Sequence, residues 1–230
     1  MNAWQEKLAL LKYRGGLKAA AFWLIKTLCR VEIHFLYAID LTRQQALSPR
    51  PSGKNPGKEA FHFISLNSAR DLAMYPHDLI EQIGSQSGRG VAQLIHDDTG
   101  VYAFIDGTRI VSQTNISRSA VIRVDSPTDL DIGLAPGDVF LGYLFTYPRY
   151  RGMGTAASLL EAVCEDVKKR GYSRIVTHIR STNAASLNAF KKCGWSRIGW
   201  IFTSTNGHLL LTCCPRKVGI TVLAVKQANY

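Results

Sequence analysis

Apolar and polar positions change period along the chain, and each change marks an element. Trp4, Leu8 and Leu11 have helical spacing, Gly15-Gly16 breaks the pattern, and Ala21, Leu24, Ile25 and Leu28 then repeat at i, i+3, i+4, i+7. The pattern predicts a helical extension over residues 1–46. Residues 47–60 hold three prolines and two glycines with little apolar content, and read as a linker. A period of two begins at Phe61-His62-Phe63-Ile64-Ser65-Leu66, a first strand, after which Asn67 or Ser68 caps a helix reaching about Gly84. Val101–Ile105 and Arg109–Gln113 are strands joined through Asp106-Gly107, a hairpin signal. Residues 118–137 read as irregular and polar. A fourth strand, Val139–Thr146, leads through a turn into a helix that runs to about Arg170 and stops at Gly171. Ser173–Ile179 is a fifth strand and Asn183–Lys192 a short helix. Strands at Arg197–Thr203, Leu209–Cys214 and Gly219–Val225 follow. Residues 61–226 thus form one α/β domain.

Composition adds charge to this picture. The 230 residues are 46% hydrophobic, ample for a core, and carry a net charge of +11. Residues 1–55 alone hold nine Lys or Arg against three Asp or Glu, a net of +6. Such an excess suits polyanions or an anionic membrane surface. The stretch Leu17–Ile39 is apolar but contains Lys18, Lys26, Arg30, Glu32 and His34. A spanning helix needs ~20 mostly uncharged residues, so this stretch is not one. Two readings stand: helices packed on the domain or a partner chain, or a basic peripheral membrane anchor with Trp4, Phe22 and Trp23. The five cysteines have no zinc-ligand spacing, so no metal is expected and the chain reads as reduced and cytoplasmic. No recognition motif supports nucleic-acid binding.

The candidate chemistry lies after the fourth strand, in Thr146-Tyr147-Pro148-Arg149-Tyr150-Arg151-Gly152-Met153-Gly154-Thr155-Ala156. A glycine-containing turn between strand and helix aims backbone N–H groups and a helix N-terminus at one point, a pocket for phosphate oxygens. Arg149 and Arg151 supply charge for a pyrophosphate. There is no Gly-x-Gly-x-x-Gly after a first strand and no Gly-Lys-Ser/Thr, which excludes Rossmann and P-loop sites. A second element follows, Asn183-Ala184-Ala185-Ser186-Leu187-Asn188-Ala189-Phe190-Lys191-Lys192-Cys193-Gly194-Trp195.

Together these resemble the GNAT superfamily of acyl-CoA N-acyltransferases. Arg151, Gly154 and Ala156 fill the family's Arg/Gln-x-x-Gly-x-Gly/Ala motif. Asn183, Ser186, Phe190, Gly194 and Trp195 fill the later Asn-x-x-Ala-x-x-x-Tyr-x-x-x-Gly-Phe pattern. The resemblance implies a central mixed, mostly antiparallel sheet, splayed between the fourth and fifth strands, with helices on both faces. It implies acetyl-CoA as co-substrate, its pyrophosphate held by Arg151, Gly152, Met153, Gly154, Thr155 and Ala156. The backbone at Phe145 and Thr146 would bind the pantetheine arm as if it were another strand, with Asn183 and Phe190 contributing from the later helix. Phe190 stands where the family often has a tyrosine as general acid. His178 and Tyr143 are the candidate catalytic side chains; Asp138 and Tyr147 are further candidates for the base.

The resemblance implies direct attack of a small-molecule amine, such as an amino sugar or amino acid derivative, on the thioester in a ternary complex. Transfer of a longer acyl chain at the membrane surface is an alternative, with residues 1–45 docking the anionic inner face of a membrane or an acyl carrier protein. A non-catalytic acyl-CoA-binding module is another. A homodimer is compatible with each.

Overall fold

The structure, a computed structural model, describes residues 16–42, 61–124 and 130–224. The helix expected around Trp4, the linker 47–60 and the middle of the stretch 118–137 lie outside the described residues. The chain begins with α1 (Gly16–Cys29), β1 (Val31–Asp40), β2 (His62–Leu66), α2 (Ala69–Leu72), α3 (His77–Ser87) and α4 (Val91–His96). It continues with β3 (Thr99–Asp106), β4 (Arg109–Ser117), β5 (Val121–Val124), β6 (Leu130–Gly133), β7 (Asp138–Thr146) and α5 (Thr155–Lys169). Then come β8 (Arg174–Arg180), α6 (Ala184–Lys192), β9 (Ser196–Ser204), β10 (Leu209–Cys213) and β11 (Thr221–Ala224).

The described residues form two compact units, one of residues 39–42, 61–119 and 137–176, the other of 16–38, 120–124, 130–136 and 177–224. In the first, antiparallel strands follow the order β7-β4-β3-β2. Leu79, Ile83, Val91 and Leu94 of α3 and α4 pack on Ile64, Leu66, Val101, Ala103 and Ile105. Strand alternation turns Tyr102 to the opposite face, where its neighbours are Asp166 and Arg170 at the C-terminal end of α5. Leu159, Leu160, Val163, Cys164 and Val167 form the buried stripe of α5, at helical spacing. Helices thus cover both faces of this sheet, as expected. Ser68 caps α2 by accepting from the Asp71 N–H (3.2 Å). The single helix expected to Gly84 is broken at Pro76, which lacks an N–H and restricts Tyr75.

In the second unit β9 pairs antiparallel with β1 on one side and β10 on the other. Residues 31–40 therefore correct the helical reading of 1–46: they are a strand, buried from Glu32 to Ile39. Arg30, with φ 52°, ends α1 in a left-handed turn. Beyond it Val31-Glu32-Ile33-His34-Phe35 is rich in β-branched and aromatic residues that suit a pleated surface. The stretch 118–137 is not wholly irregular either. β5 pairs with β6 and β6 with β11, a three-stranded antiparallel sheet.

Candidate acyl-donor site

After β7 the chain makes a 3-10 turn, Pro148–Tyr150, and an extended Arg151. The turn is held from three sides. The Tyr147 N–H donates to the Val111 carbonyl (3.0 Å). The Tyr150 hydroxyl donates to Asp106 Oδ2 (3.0 Å), with the Arg149 guanidinium 4.5 Å above its ring. Thr155, buried, donates its hydroxyl to the Tyr150 carbonyl (3.2 Å). Thr155 thus fastens the turn through its side chain, and only its backbone faces the helix start.

Gly152 (φ 80°) and Gly154 (φ 79°) are left-handed, a conformation that costs other residues strain. A Cβ at Gly152 would meet nothing within 4 Å, so backbone conformation, not space, calls for glycine there. Gly154 is the N-cap of α5, and that first turn has neither a side-chain cap nor an acidic residue. Such a helix start presents backbone N–H groups and the positive end of the dipole to an anion. Arg151 is exposed beside it, its Nε donating to the Thr146 carbonyl (3.0 Å). Met153 is exposed at the tip of the turn.

On β7, backbone groups of alternate residues point to opposite edges. The Phe145 carbonyl accepts from Ser112 Oγ (2.9 Å), and the Tyr143 carbonyl from Thr114 Oγ1. The Tyr143 N–H donates to Asn115 Oδ1 (3.2 Å). Phe145 and Tyr143 therefore face β4, and the backbone of Thr146 and Leu144 faces the other edge. This corrects the expectation for Phe145, whose backbone is engaged with β4. Opposite Thr114–Ile116, β7 takes an extra residue at Gly142–Tyr143, a bulge. A Cβ on Gly142 would lie 2.5 Å from Asn115 Oδ1, which explains the glycine. The polar residues Ser112, Gln113, Thr114 and Asn115 on β4 were missed by sequence reasoning. Their signal was an unbroken polar run within a predicted hairpin.

Tyr143 is half-buried, and burial raises its phenol to about 12, above the usual 10.0. It keeps its proton and is no general base near neutrality. Asp138 is clamped by Arg174, whose Nε lies 2.9 Å from Oδ1 while Nη2 bonds Oδ2. Tyr147 packs edge-on against Phe145, ring centroids 5.1 Å apart.

In the other unit, His178 lies 5.6 Å from His34, ring to ring. Burial, then the neighbouring His34 and Arg180, pull His178 down to about 3. A base that weak takes a proton poorly at neutral pH, which corrects the expectation of His178 as a catalytic base. Asn183 caps α6 with Oδ1, accepting from the Ser186 N–H (3.1 Å). Phe190 is 2% exposed and packs edge-on to Trp195 at 4.8 Å, so it is a core residue of its unit and no ligand-facing ring.

Among known proteins, the profile of the Acetyltransferase (GNAT) family matches residues 76–195, just over half of the chain. No curated protein sequence matches. Among solved structures, a protein from Novosphingobium aromaticivorans assigned to the GNAT family is 16% identical, with 86% of this chain and 66% of that one covered and a TM-score of 0.46. A GCN5-related N-acetyltransferase from Kribbella flavida is 11% identical, with 72% and 54% covered and a TM-score of 0.44. An aminoglycoside N-acetyltransferase in complex with CoA is 16% identical, with 58% and 90% covered and a TM-score of 0.42. The chain thus spans just under two thirds of the first of these structures and about half of the second. The glycine turn of residues 151–156 and the Asn183–Trp195 segment both fall inside or at the edge of the matched span, and the chain belongs to the GNAT acetyltransferase family.

Proposed function

We propose that the chain transfers an acetyl group from acetyl-CoA to the amine of a small molecule, such as an amino sugar or amino acid derivative. The supporting observation is the left-handed Gly152–Gly154 turn at an α5 start without acidic residue or side-chain cap. Backbone N–H groups from Gly152 to Ala156 hold the pyrophosphate, and Arg151 adds charge. The β7 edge at Thr146 and Leu144 takes the pantetheine amides as a further strand. The amine attacks the thioester directly, and much of the acceleration comes from holding the two reactants in register. In this reading neither His178 nor Tyr143 takes the amine proton, and the proton is passed to solvent. A reducing, cytoplasmic setting belongs to this reading.

Replacing Gly154 with leucine forces a side chain into a left-handed N-cap. Acetyl-CoA affinity, measured by calorimetry, should fall by about two orders of magnitude while the melting temperature moves little. Unchanged affinity would remove the cradle. Release of thiol across a panel of amines tests turnover.

A second reading has its own observation. α1 exposes Leu24, Ile25 and Leu28, at 60%, 37% and 72%. No described helix is long and apolar enough to cross a membrane. An amphipathic α1 lying on an anionic surface would bring the acyl-transfer site to a membrane-borne or long-chain substrate.

A further inference from the structure

Holding the acyl donor accounts for the turn and the β7 edge, and leaves Gln113 and Tyr143 without a role. Gln113 is fully buried on β4. Its Nε2 donates to the Ile83 carbonyl of α3 (3.0 Å) and to the Tyr143 hydroxyl oxygen (2.7 Å). A carbonyl only accepts, so the amide cannot be turned round: its nitrogen has to face both oxygens. With Gln113 donating to it, the phenol oxygen acts as an acceptor on that side, and its single proton has to point elsewhere. Gln113 therefore sets the direction of the hydrogen bond and makes Tyr143 a dedicated donor.

Tyr143 also sits at the β7 bulge, next to Gly142, which is exposed. Four residues of strand, from Thr146 back to Gly142, cover about 13 Å. An extended arm laid along this edge from a pyrophosphate at the α5 start brings its far end to the bulge. We infer that the Tyr143 hydroxyl donates a hydrogen bond to the thioester carbonyl oxygen of the acyl donor, and that Gln113 is the positioning residue that keeps it in this role. The inference rests on the acyl-transfer reading above.

The step balances without proton transfer from the phenol. The amine lone pair adds to the carbonyl carbon and the C=O π pair moves to oxygen, where the Tyr143 O–H stabilises the charge. The pair returns, the C–S bond breaks, and sulfur leaves with its electrons. Nitrogen loses a proton to solvent and sulfur takes one from it. Because burial holds the phenol near 12, it stays protonated through the working range. This hydroxyl lies on a strand and so is independent of the one that Phe190 lacks.

The test is steady-state kinetics on the full chain with an amine that the wild type acetylates. Tyr143→Phe should lower kcat by about 100-fold and leave acetyl-CoA affinity within about twofold. Gln113→Glu has nearly the same shape but offers the phenol an acceptor and turns its proton inward. Its kcat should fall by a similar factor although Tyr143 is intact. The double variant should be no slower than Tyr143→Phe alone, because both changes remove one interaction. The limbs of the pH profile should stay where they are. If Gln113→Glu does not fold, Gln113→Met takes its place: a loss of about tenfold with Tyr143 present and none without it. A Tyr143→Phe enzyme as fast as an active wild type, or losses that add in the double variant, would overturn this role alone. A wild type that binds acetyl-CoA and acetylates no amine removes the acyl-transfer reading and this role with it.

Discussion

His34 is 1% exposed, and neither ring nitrogen has a hydrogen-bond partner among the described residues. Its surroundings are His178 at 5.6 Å, with Glu32, Arg180 and Lys26 as the charges that act on it. Burial is the largest influence, pulling the imidazole from 6.5 to about 4, and Glu32 only partly opposes it. The folded state therefore binds its proton later than the unfolded chain does. Stability from this group is complete above about pH 6.5 and is lost as pH falls toward about 4, by roughly 3 kcal/mol in all. Urea unfolding between pH 4.5 and 7.5 should show this acid limb. His34→Leu should flatten it by about one proton, and should cost little at pH 7 because it also removes two unpartnered polar atoms. An acid limb of the same slope in the variant would show that His34 is not its source.

At the scale of elements, β1 has to be separated from α1. Ile33, Phe35, Leu36, Tyr37, Ala38 and Ile39 of β1 are all buried, and the strand is paired with β9 along most of its length. α1 adds less: Phe22 meets Phe35 edge-on at 5.7 Å, and Lys26 donates to Glu32 at 2.9 Å. Removing residues 1–29 should therefore leave a cooperative thermal transition at lower temperature. Removing 1–40 should abolish it, since an edge of β9 and several large apolar side chains are uncovered at once. A cooperative melt of the shorter chain near the wild-type temperature would contradict the role given to β1. The same contrast explains what was legible. The β7 strand, its glycine turn and α5 are contiguous, so apolar period, glycine spacing and the stop at Gly171 reveal them. β1 alternates only from Val31 to Phe35 and is apolar throughout Leu36–Ile39, which blurs its period, while the partner that makes it a strand lies in residues 196–204. β5 and β6 are only four residues each, and β6 also pairs with β11, far along the chain. The glycine turn of residues 151–156 was legible for the same local reason. Gln113 and Asn115 were not, because their roles depend on which residues of β7 lie opposite them.

At the scale of the whole molecule, charge and exposed apolar surface meet in the N-terminal quarter. A net +6 over residues 1–55 would draw this end of the chain to an anionic surface, and Leu24 and Leu28 would supply the apolar contact. Truncating residues 1–45 is the obvious way to test this and the wrong one, because it would also remove β1. Point changes on the exposed face of α1 separate the two effects. Burying two leucine side chains is worth about 3–6 kcal/mol, so Leu24→Glu with Leu28→Glu should weaken binding to anionic vesicles by at least about 100-fold. The Lys26–Glu32 pair and the Phe22–Phe35 contact are left in place, so the melting temperature should hold. Flotation with phosphatidylserine vesicles reads the difference, and raising salt should weaken wild-type binding further because the attraction of exposed charges is screened. If wild type and double variant float alike, or the wild type does not float, α1 is not a membrane anchor. The packed-helix reading of this segment then stands, and the acceptor of the acyl group is to be sought among soluble amines.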